Sequence, residues 1–240
     1  MIVEVCANSY QSAVNAEEAG ADRIELCAEL AVGGITPSYG LIKKVSENLT
    51  IPIHVLIRPR SGDFTYSRDE FEIMKTNIAL CTDLGVSGIV SGVLYSNGTL
   101  DKDRTAELIS AAGDLHFTFH RAFDWVEDPL KTLLELEDLG VSCVLTSGGR
   151  QKAEEAINEL VFWKKKVEKC VIMPGGGIRK HNALFFKNNG FEAIHLSGLK
   201  FSKTLEKTPE PPMNNVSYLR EDEIAITDPE IIRTLVQSVK

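Results

Sequence analysis

Short apolar segments alternate along the chain with segments of helical periodicity, which is typical of βαβ units and a parallel sheet. The apolar pattern predicts strands near residues 2–6, 22–27, 51–60, 87–93, 115–121, 141–147, 169–174 and 192–197. It predicts helices near 10–19, 38–48, 67–84, 101–112, 128–139, 151–166, 179–189 and 228–238. Four glycines, at 20, 85, 140 and 190, fall between a helix and the next strand, where a left-handed C-cap needs glycine. Eight such units in 240 residues predict an α/β fold, a TIM-type (β/α)8 barrel.

The stretch that follows the eighth strand breaks this alternation. Residues 208–215 read TPEPPMNN, which is too rich in proline and polar residues for a helix or a central strand. We therefore predict a long Pro-rich arm at 199–227, between strand 8 and the last helix. Residues 1–240 are expected to form one TIM-barrel domain, with its core at 1–198 and the arm and C-terminal helix at 199–240. Contact between two copies through the arm would make a homo-oligomer.

Composition narrows the classes of partner. The formal net charge is −8 and the isoelectric point about 5.2, which argues against a nucleic-acid or anionic-membrane partner. The sequence has no apolar run of about 18 residues, the length of a membrane span, and it enters the first strand at Ile2. We expect a cytoplasmic protein with no membrane partner. Five cysteines without a CxxC pair fit reduced thiols better than disulfides.

Polar residues alternate with aliphatic ones in the first two strands. Side chains of a strand point alternately to its two faces, so Glu4, Cys6, Glu25 and Cys27 share one face. If the two strands are parallel neighbours, the thiols lie side by side above the two carboxylates. Burial of such groups without partners is costly, so the pattern indicates a functional site.

The same alternation predicts which other side chains point into the barrel. These are His54, Arg58, Arg60, Thr118, His120, His195 and Ser197. Barrel interiors are usually filled with branched aliphatic residues, so this interior is unusually polar. We expect Glu25 and Arg58 to form a buried ion pair. Strands 4, 6 and 7 show no clear alternation.

Seven motifs in order resemble the CutC copper-homeostasis family. They are EVCANS at 4–9, GADRIELC at 20–27, GGITPSYG at 33–40, IRPRSGDFTYS at 57–67, TFHRAFD at 118–124, LTSGG at 145–149 and MPGGGI at 173–178. The resemblance runs from Ile2 to about Ser197. It implies a TIM-type barrel, a cytoplasmic location and a role in copper handling, and it places Cys6 and Cys27 at the positions proposed as copper ligands.

Copper chemistry is compatible with the two thiols. Cu(I) is a soft ion that favours thiolate ligands and accepts linear coordination by two of them. Neighbouring strands lie about 4.8 Å apart, which places both sulfurs within reach of one ion. Arg58 or Arg60 nearby would lower the thiol pKa. The alternative is that Cys6 and Cys27 are small hydrophobic side chains that fill a layer of the barrel.

A second hypothesis is an enzyme acting on a small phosphorylated or carboxylated metabolite, because barrel enzymes keep their active sites at the carboxyl ends of the strands. The expected anion site comprises Arg58, Arg60, Gly175, Gly176, Gly177 and Ser197, where the glycines precede a helix N-terminus. The catalytic candidates are His120, Arg121, Asp124 and Glu25, since a carboxylate orients imidazole for acid/base work.

Each of these features also has a structural interpretation. The three glycines are compatible with a tight strand-to-helix turn. His120 and Arg121 would equally neutralise Glu4 and Glu25 in a barrel whose polar interior is mainly structural. The sequence does not decide between the functional and the structural interpretations.

Overall fold

The computed structural model describes residues 1–207, 209–211, 213 and 221–240. Eight parallel strands form one sheet; they are β1 (Ile2–Ala7), β2 (Arg23–Leu26), β3 (Ile53–Leu56), β4 (Gly88–Ser91), β5 (His116–Phe119), β6 (Cys143–Thr146), β7 (Val171–Pro174) and β8 (Ala193–Leu196). Their order is β7-β6-β5-β4-β3-β2-β1-β8, and a parallel bridge between Gly175 and His195 joins the two ends. The predicted TIM barrel is confirmed.

Helices cover the outside of the barrel, each after its strand. They are α1 (Tyr10–Glu18), α2 (Tyr39–Ser46), α3 (Arg68–Asp83), α4 (Lys102–Ala112), α5 (Pro129–Asp138), α6 (Ile157–Lys164), α7 (Lys180–Asn188) and α8 (Pro229–Val239). The Ser67 hydroxyl accepts a hydrogen bond from the Glu70 N–H, and the Glu70 carboxylate accepts one from the Ser67 N–H, which forms a capping box at the start of α3. Among the described residues, no helix combines the length and the apolar content needed to cross a bilayer.

The differences from the predicted boundaries have local causes. Strand β3 covers four residues rather than the ten predicted, because Pro52 and Pro59 flank it and proline cannot donate to a sheet. Helix α6 begins at Ile157, after a 3₁₀ turn at Ala153–Ala156, rather than at 151.

Within the strands that the structure forms, the predicted outward faces are confirmed. Val3, Val5, Ile24, Val55 and Phe117 are buried in the large core between the sheet and the helices. The interior faces of β6 and β7, which the sequence left undecided, carry Cys143, Leu145 and Met173 in a small separate cluster. Both faces of these strands are apolar, so alternation could not distinguish them.

The ends of the arm form a hairpin that the sequence did not predict. Strand β9 (Leu199–Lys203) pairs antiparallel with β10 (Glu223–Thr227). The hairpin is held to α1: the Asn15 side chain donates to the Thr227 carbonyl at 2.8 Å, and the Thr227 N–H donates to the Ser12 hydroxyl at 3.1 Å. Much of the predicted Pro-rich arm, residues 208, 212 and 214–220, lies outside the described residues.

A charged cluster occupies the amino-terminal half of the barrel interior. The Glu4 carboxylate accepts a hydrogen bond from Arg23 Nε at 2.5 Å and contacts His195 Nδ1 at 2.8 Å. Burial alone would raise the pKa of Glu4, but His195 and Arg23 outweigh it and lower the pKa to about 2. The sequence analysis did not place Arg23 in the interior, although it lies two residues before Glu25 on the same strand face.

This cluster gives a testable prediction about stability. Arg23→Met would leave the Glu4 carboxylate buried with one fewer partner, and we expect it to lower the free energy of unfolding by about 3–5 kcal/mol. Glu4→Gln should be less harmful in the Arg23→Met background than alone, which a double-mutant cycle by urea denaturation measures. The exposed pair Lys43 and Glu47 is the control, since its removal should change little. Additive losses for Glu4 and Arg23 would contradict the prediction.

Candidate metal and anion site

A cavity of about 270 Å³ opens at the carboxyl ends of the barrel strands. Most of the predicted interior residues reach it, from different strands and the loops that follow them. Its walls include Cys6, Glu25, Leu56, Arg58, Phe64, His120, Arg121, Leu145, Gly176, Gly177, Arg179, His195 and Ser197. Arg60 and Gly175 are not part of the wall.

The two predicted thiols lie against each other beside this cavity. Cys6 Sγ is 3.4 Å from Cys27 Sγ, and both side chains are buried. Register explains the contact, because Cys6 aligns with Glu25 on β2 and Cys27 follows two residues later on the same face. Leu56 and Val90 pack against the pair. The sulfurs therefore have an apolar side and a polar side.

On the polar side, Cys6, Glu25 and His195 form a compact group of potential ligands. One atom from each, the sulfur, a carboxylate oxygen and a ring nitrogen, lies within 4.8 Å of the others. His195 Nε2 is 3.5 Å from Glu25 Oε2, while its Nδ1 contacts Glu4. Donor atoms of these types suit a transition metal.

Protonation of the group differs from the sequence-based expectation. The Cys27 thiol, burial and the nearby Glu25 carboxylate raise the pKa of Cys6 well above its ordinary value. The lowering that we expected from Arg58 or Arg60 is wrong, since neither guanidinium is among the causes of the shift. Burial would lower the pKa of His195, but Glu25 and Glu4 outweigh it and raise the pKa. Burial also raises the pKa of Glu25, with the Glu4 charge adding to the effect.

Arg58 does not form the expected ion pair with Glu25. Its guanidinium donates to the carbonyls of Val32 and Gly34, both at 2.8 Å, and of Gly62 at 2.7 Å. The chain leaves the sheet after Leu56, so Arg58 turns toward the loops that follow β2 and β3. The carboxylate of Glu25 has His195 as its partner instead.

Arg60 points away from the barrel interior, which corrects its predicted inward orientation. Its Nε donates to Glu70 at 2.6 Å and its Nη2 to Asp63 at 3.1 Å, and it lies over the Tyr66 ring. The segment after Pro59 is a loop rather than a strand, so alternation no longer applies there. Arg60 therefore holds the loop before α3.

His120 lies at the start of a 3₁₀ turn, Arg121–Trp125, directly after β5. Its Nδ1 accepts a hydrogen bond from the Ala122 N–H at 3.2 Å, and its buried Nε2 has no partner in the part of the chain that the structure describes. Burial, together with the Arg58 charge, lowers the pKa of His120 to about 3. The ring is therefore neutral at pH 7 and carries its proton on Nε2.

Arg121 and Asp124, on the same turn, are joined to the loop after β6. Arg121 Nε donates to Asp124 at 2.7 Å, and Arg121 Nη2 donates to Ser147 Oγ at 2.8 Å. Asp124 also accepts from Thr146 Oγ1 and from the N–H groups of Ser147 and Gly149. The carboxylate of Asp124 is thus fully engaged in shaping this loop, while Arg121 reaches the cavity wall.

The three glycines after β7 have separate positions. Gly175 packs closely, since a Cβ there would lie 2.5 Å from Leu145 Cδ1. Gly176 and Gly177 line the cavity with positive φ angles of 97° and 74°, which glycine adopts without strain. Ser197, after the neighbouring strand β8, also lines the cavity. The residues that sequence reasoning missed, Phe64 and Arg179, come from loops, where no periodic pattern identifies them.

Fold and site together define the class: a TIM barrel with a small polar cavity at the carboxyl ends of its strands and a thiol pair in its wall. Residues 1–200 match the model of the CutC family. A family protein CutC of Enterobacter sp. (strain 638) is 43% identical over 210 residues, which cover 88% of this chain and 83% of that protein. A family protein CutC of Edwardsiella ictaluri (strain 93-146) is 45% identical over 197 residues, which cover 82% of this chain and 78% of that protein. The chain belongs to the CutC family, as its motifs predicted.

Solved structures agree with this assignment. A CutC of Streptococcus agalactiae, provisionally assigned to copper homeostasis in its description, has a TM-score of 0.78 and 32% identity, over 81% of this chain and 97% of that chain. The 3-hexulose-6-phosphate synthase of Salmonella typhimurium has a TM-score of 0.63 with 14% identity, over 100% of this chain and 98% of that chain. The second likeness shows the fold alone.

The buried histidines predict how stability depends on pH. The pKa is lowered by burial to about 3 for His54 and His120 and to about 4 for His116. Because the pKa of each histidine is lower in the folded chain, there is a pH range in which the unfolded chain binds a proton and the folded chain does not. Stability is therefore present above pH 6.5 and is lost as pH falls toward 4, by up to about 1.4 kcal/mol per histidine and pH unit.

Urea denaturation between pH 7 and pH 4 measures this dependence. His120→Gln should have a shallower decline than the wild-type protein, because one proton fewer is taken up on unfolding. His181 is exposed, so His181→Gln should leave the slope unchanged. A His120→Gln slope equal to that of the wild type would show that His120 is not held neutral in the folded state.

Proposed function

We propose that the chain binds Cu(I) through Cys6 and Cys27 and serves copper homeostasis. The observation that supports this most directly is the 3.4 Å contact between the two sulfurs, next to His195 and Glu25. Soft thiolates select Cu(I) over the hard cations that oxygen ligands hold. The chain belongs to the CutC family, and the CutC of Streptococcus agalactiae is provisionally assigned to copper homeostasis. This is consistent with the proposed function.

The sulfur spacing favours bent rather than linear coordination. With a metal–thiolate bond of roughly 2.3 Å, two sulfurs on opposite sides of an ion lie roughly 4.6 Å apart. The sulfurs of Cys6 and Cys27 are closer than that, at 3.4 Å. A bent arrangement leaves room for a third ligand, and His195 Nε2 is the nitrogen donor near Cys6. This replaces the linear geometry that strand spacing alone suggested.

Packing of the thiols against Leu56 and Val90 is also what cysteines acting as small hydrophobic residues would show. The polar neighbours distinguish the two interpretations. A cysteine that merely fills a barrel layer does not require a buried carboxylate and an imidazole within 4.8 Å of its sulfur. A cytoplasmic location suits the proposal, since thiols remain reduced there.

Competition with a chromophoric Cu(I) chelator under anaerobic, reducing conditions tests the proposal. We expect one Cu(I) per wild-type chain, affinity at least tenfold lower for Cys6→Ala or Cys27→Ala, and loss of binding in the double variant. Cys81→Ala is the matched control, because Cys81 is a buried thiol on α3 without a neighbouring sulfur ligand. Equal copper uptake by the wild type and the double variant would refute the proposal.

Affinity for Cu(I) should also rise with pH. The raised pKa of Cys6 means that its thiol proton must be released when a metal binds. Between pH 6 and pH 8 we expect about a tenfold increase in affinity per pH unit for each proton released. Chelator competition across that range gives the slope. A pH-independent affinity would mean that the thiols are not the ligands.

A second candidate function is an enzyme that acts on a small phosphorylated or carboxylated metabolite. The observation that favours it is the cavity itself, with Glu25, His120 and Arg121 in its wall. Glu25 suits acid/base work best, because its raised pKa lies nearer neutrality than that of an ordinary carboxyl. His120 is a neutral donor, and Asp124 would act by holding Arg121.

A further inference from the structure

Arg58 is a buried cation without a carboxylate partner. The residue is 5% exposed, and its two Nη groups donate to three backbone carbonyls. Its Nε–H has no acceptor within the described part of the chain. Burial of a charge is unfavourable unless a counter-charge compensates it. Within the described residues the charge of Arg58 is therefore compensated by backbone carbonyls and by no carboxylate.

His120, another residue of the cavity wall, has a second buried donor without a partner among the described residues. Its Nδ1 is occupied by the Ala122 N–H, so the proton of the neutral ring is on Nε2, which has no partner. Both groups contact one aromatic ring: Arg58 Cζ lies 5.0 Å from the Phe64 centroid, and the His120 ring lies 4.8 Å from it. The two unused donors thus belong to one region of the wall.

Further donors come from Arg121, which follows His120 after β5, and from the loop after β7. Arg121 lies next to Gly176, where an added Cβ would be 3.7 Å from the Arg121 guanidinium carbon. The N–H groups of Gly176 and Gly177 make no hydrogen bond within the described residues. They precede α7, whose N-terminus favours negative charge. Arg179 adds a further cation to this side of the wall.

We propose that the cavity binds the phosphoryl group of a small organic phosphate, held by Arg58, His120 and Arg121 and by the glycine N–H groups. All of these line one cavity of about 270 Å³, so a single ligand reaches them. That volume is at or below the lower end for ligand pockets, which fits a small phosphate ester better than a nucleotide. The inference is independent of copper and deepens the second candidate function by naming its substrate class.

Thermal-shift titration of the apoprotein with inorganic phosphate and with glycerol 3-phosphate tests the site. A ligand that binds only the folded state raises the melting temperature with concentration. We expect both phosphates to raise the melting temperature. Sodium chloride and sodium acetate at matched ionic strength should not raise it.

Isothermal calorimetry should show at least tenfold weaker phosphate binding in Arg121→Met and His120→Gln. Arg179→Met, at an exposed position, provides a variant that folds if either of these does not.

Arg150→Met is the control for charge. Arg150 is exposed in the loop after β6, outside the cavity wall, so the variant removes the same charge from the same end of the barrel. An equal loss of binding in this control would overturn the proposal, as would equal stabilisation by acetate or no stabilisation by phosphate.

A further pair of measurements separates this site from the two candidate functions. The Cys6→Ala and Cys27→Ala double variant should retain phosphate binding, and loss of phosphate binding in it would overturn the proposed position of the anion. Phosphate binding without turnover of any phosphate ester would support the site and count against the enzyme.

Discussion

The buried carboxylate of Glu4 sets the arrangement of the whole site. It has no access to water, so the barrel compensates its charge with Arg23 on the neighbouring strand and with His195 on the other side. The contact with His195 Nδ1 fixes the orientation of that ring and directs Nε2 toward Glu25 and Cys6. Without Glu4, the imidazole would lose the contact that orients it and one of the two carboxylates, Glu25 and Glu4, that raise its pKa.

Much of this arrangement follows from alternation along the strands. The inward positions of Cys6 and Cys27 and their contact could be predicted, because register and the period of two decide both. Beyond the strand ends this reasoning fails. Arg58 and Arg60 were assigned by the same alternation, yet the chain leaves the sheet after Leu56, and loop carbonyls and loop carboxylates decide where each guanidinium points.

Other parts of the site needed the three-dimensional structure for different reasons. Arg23 carries a signal in the sequence, since it shares the face of Glu25, but a charged residue at the start of a strand is ordinarily exposed. Phe64 and Arg179 have no such signal, because loop conformation places them. The protonation of Cys6 depends on burial and on Cys27 and Glu25 together, so the type of residue alone predicted the wrong direction.

The two proposed ligands would share one wall, which couples them electrostatically. Cu(I) binding to two protonated thiols releases two protons, so the thiol pair changes from neutral to a net charge of −1 with the ion included. That charge would lie beside the cavity that Arg58 and Arg121 line and that we propose to bind phosphate, at low dielectric, where charges interact strongly. Copper would therefore weaken phosphate binding, and phosphate would weaken copper binding by the same factor, since coupling between two sites is reciprocal. On these two proposals, occupation of the barrel mouth by one ligand would oppose binding of the other.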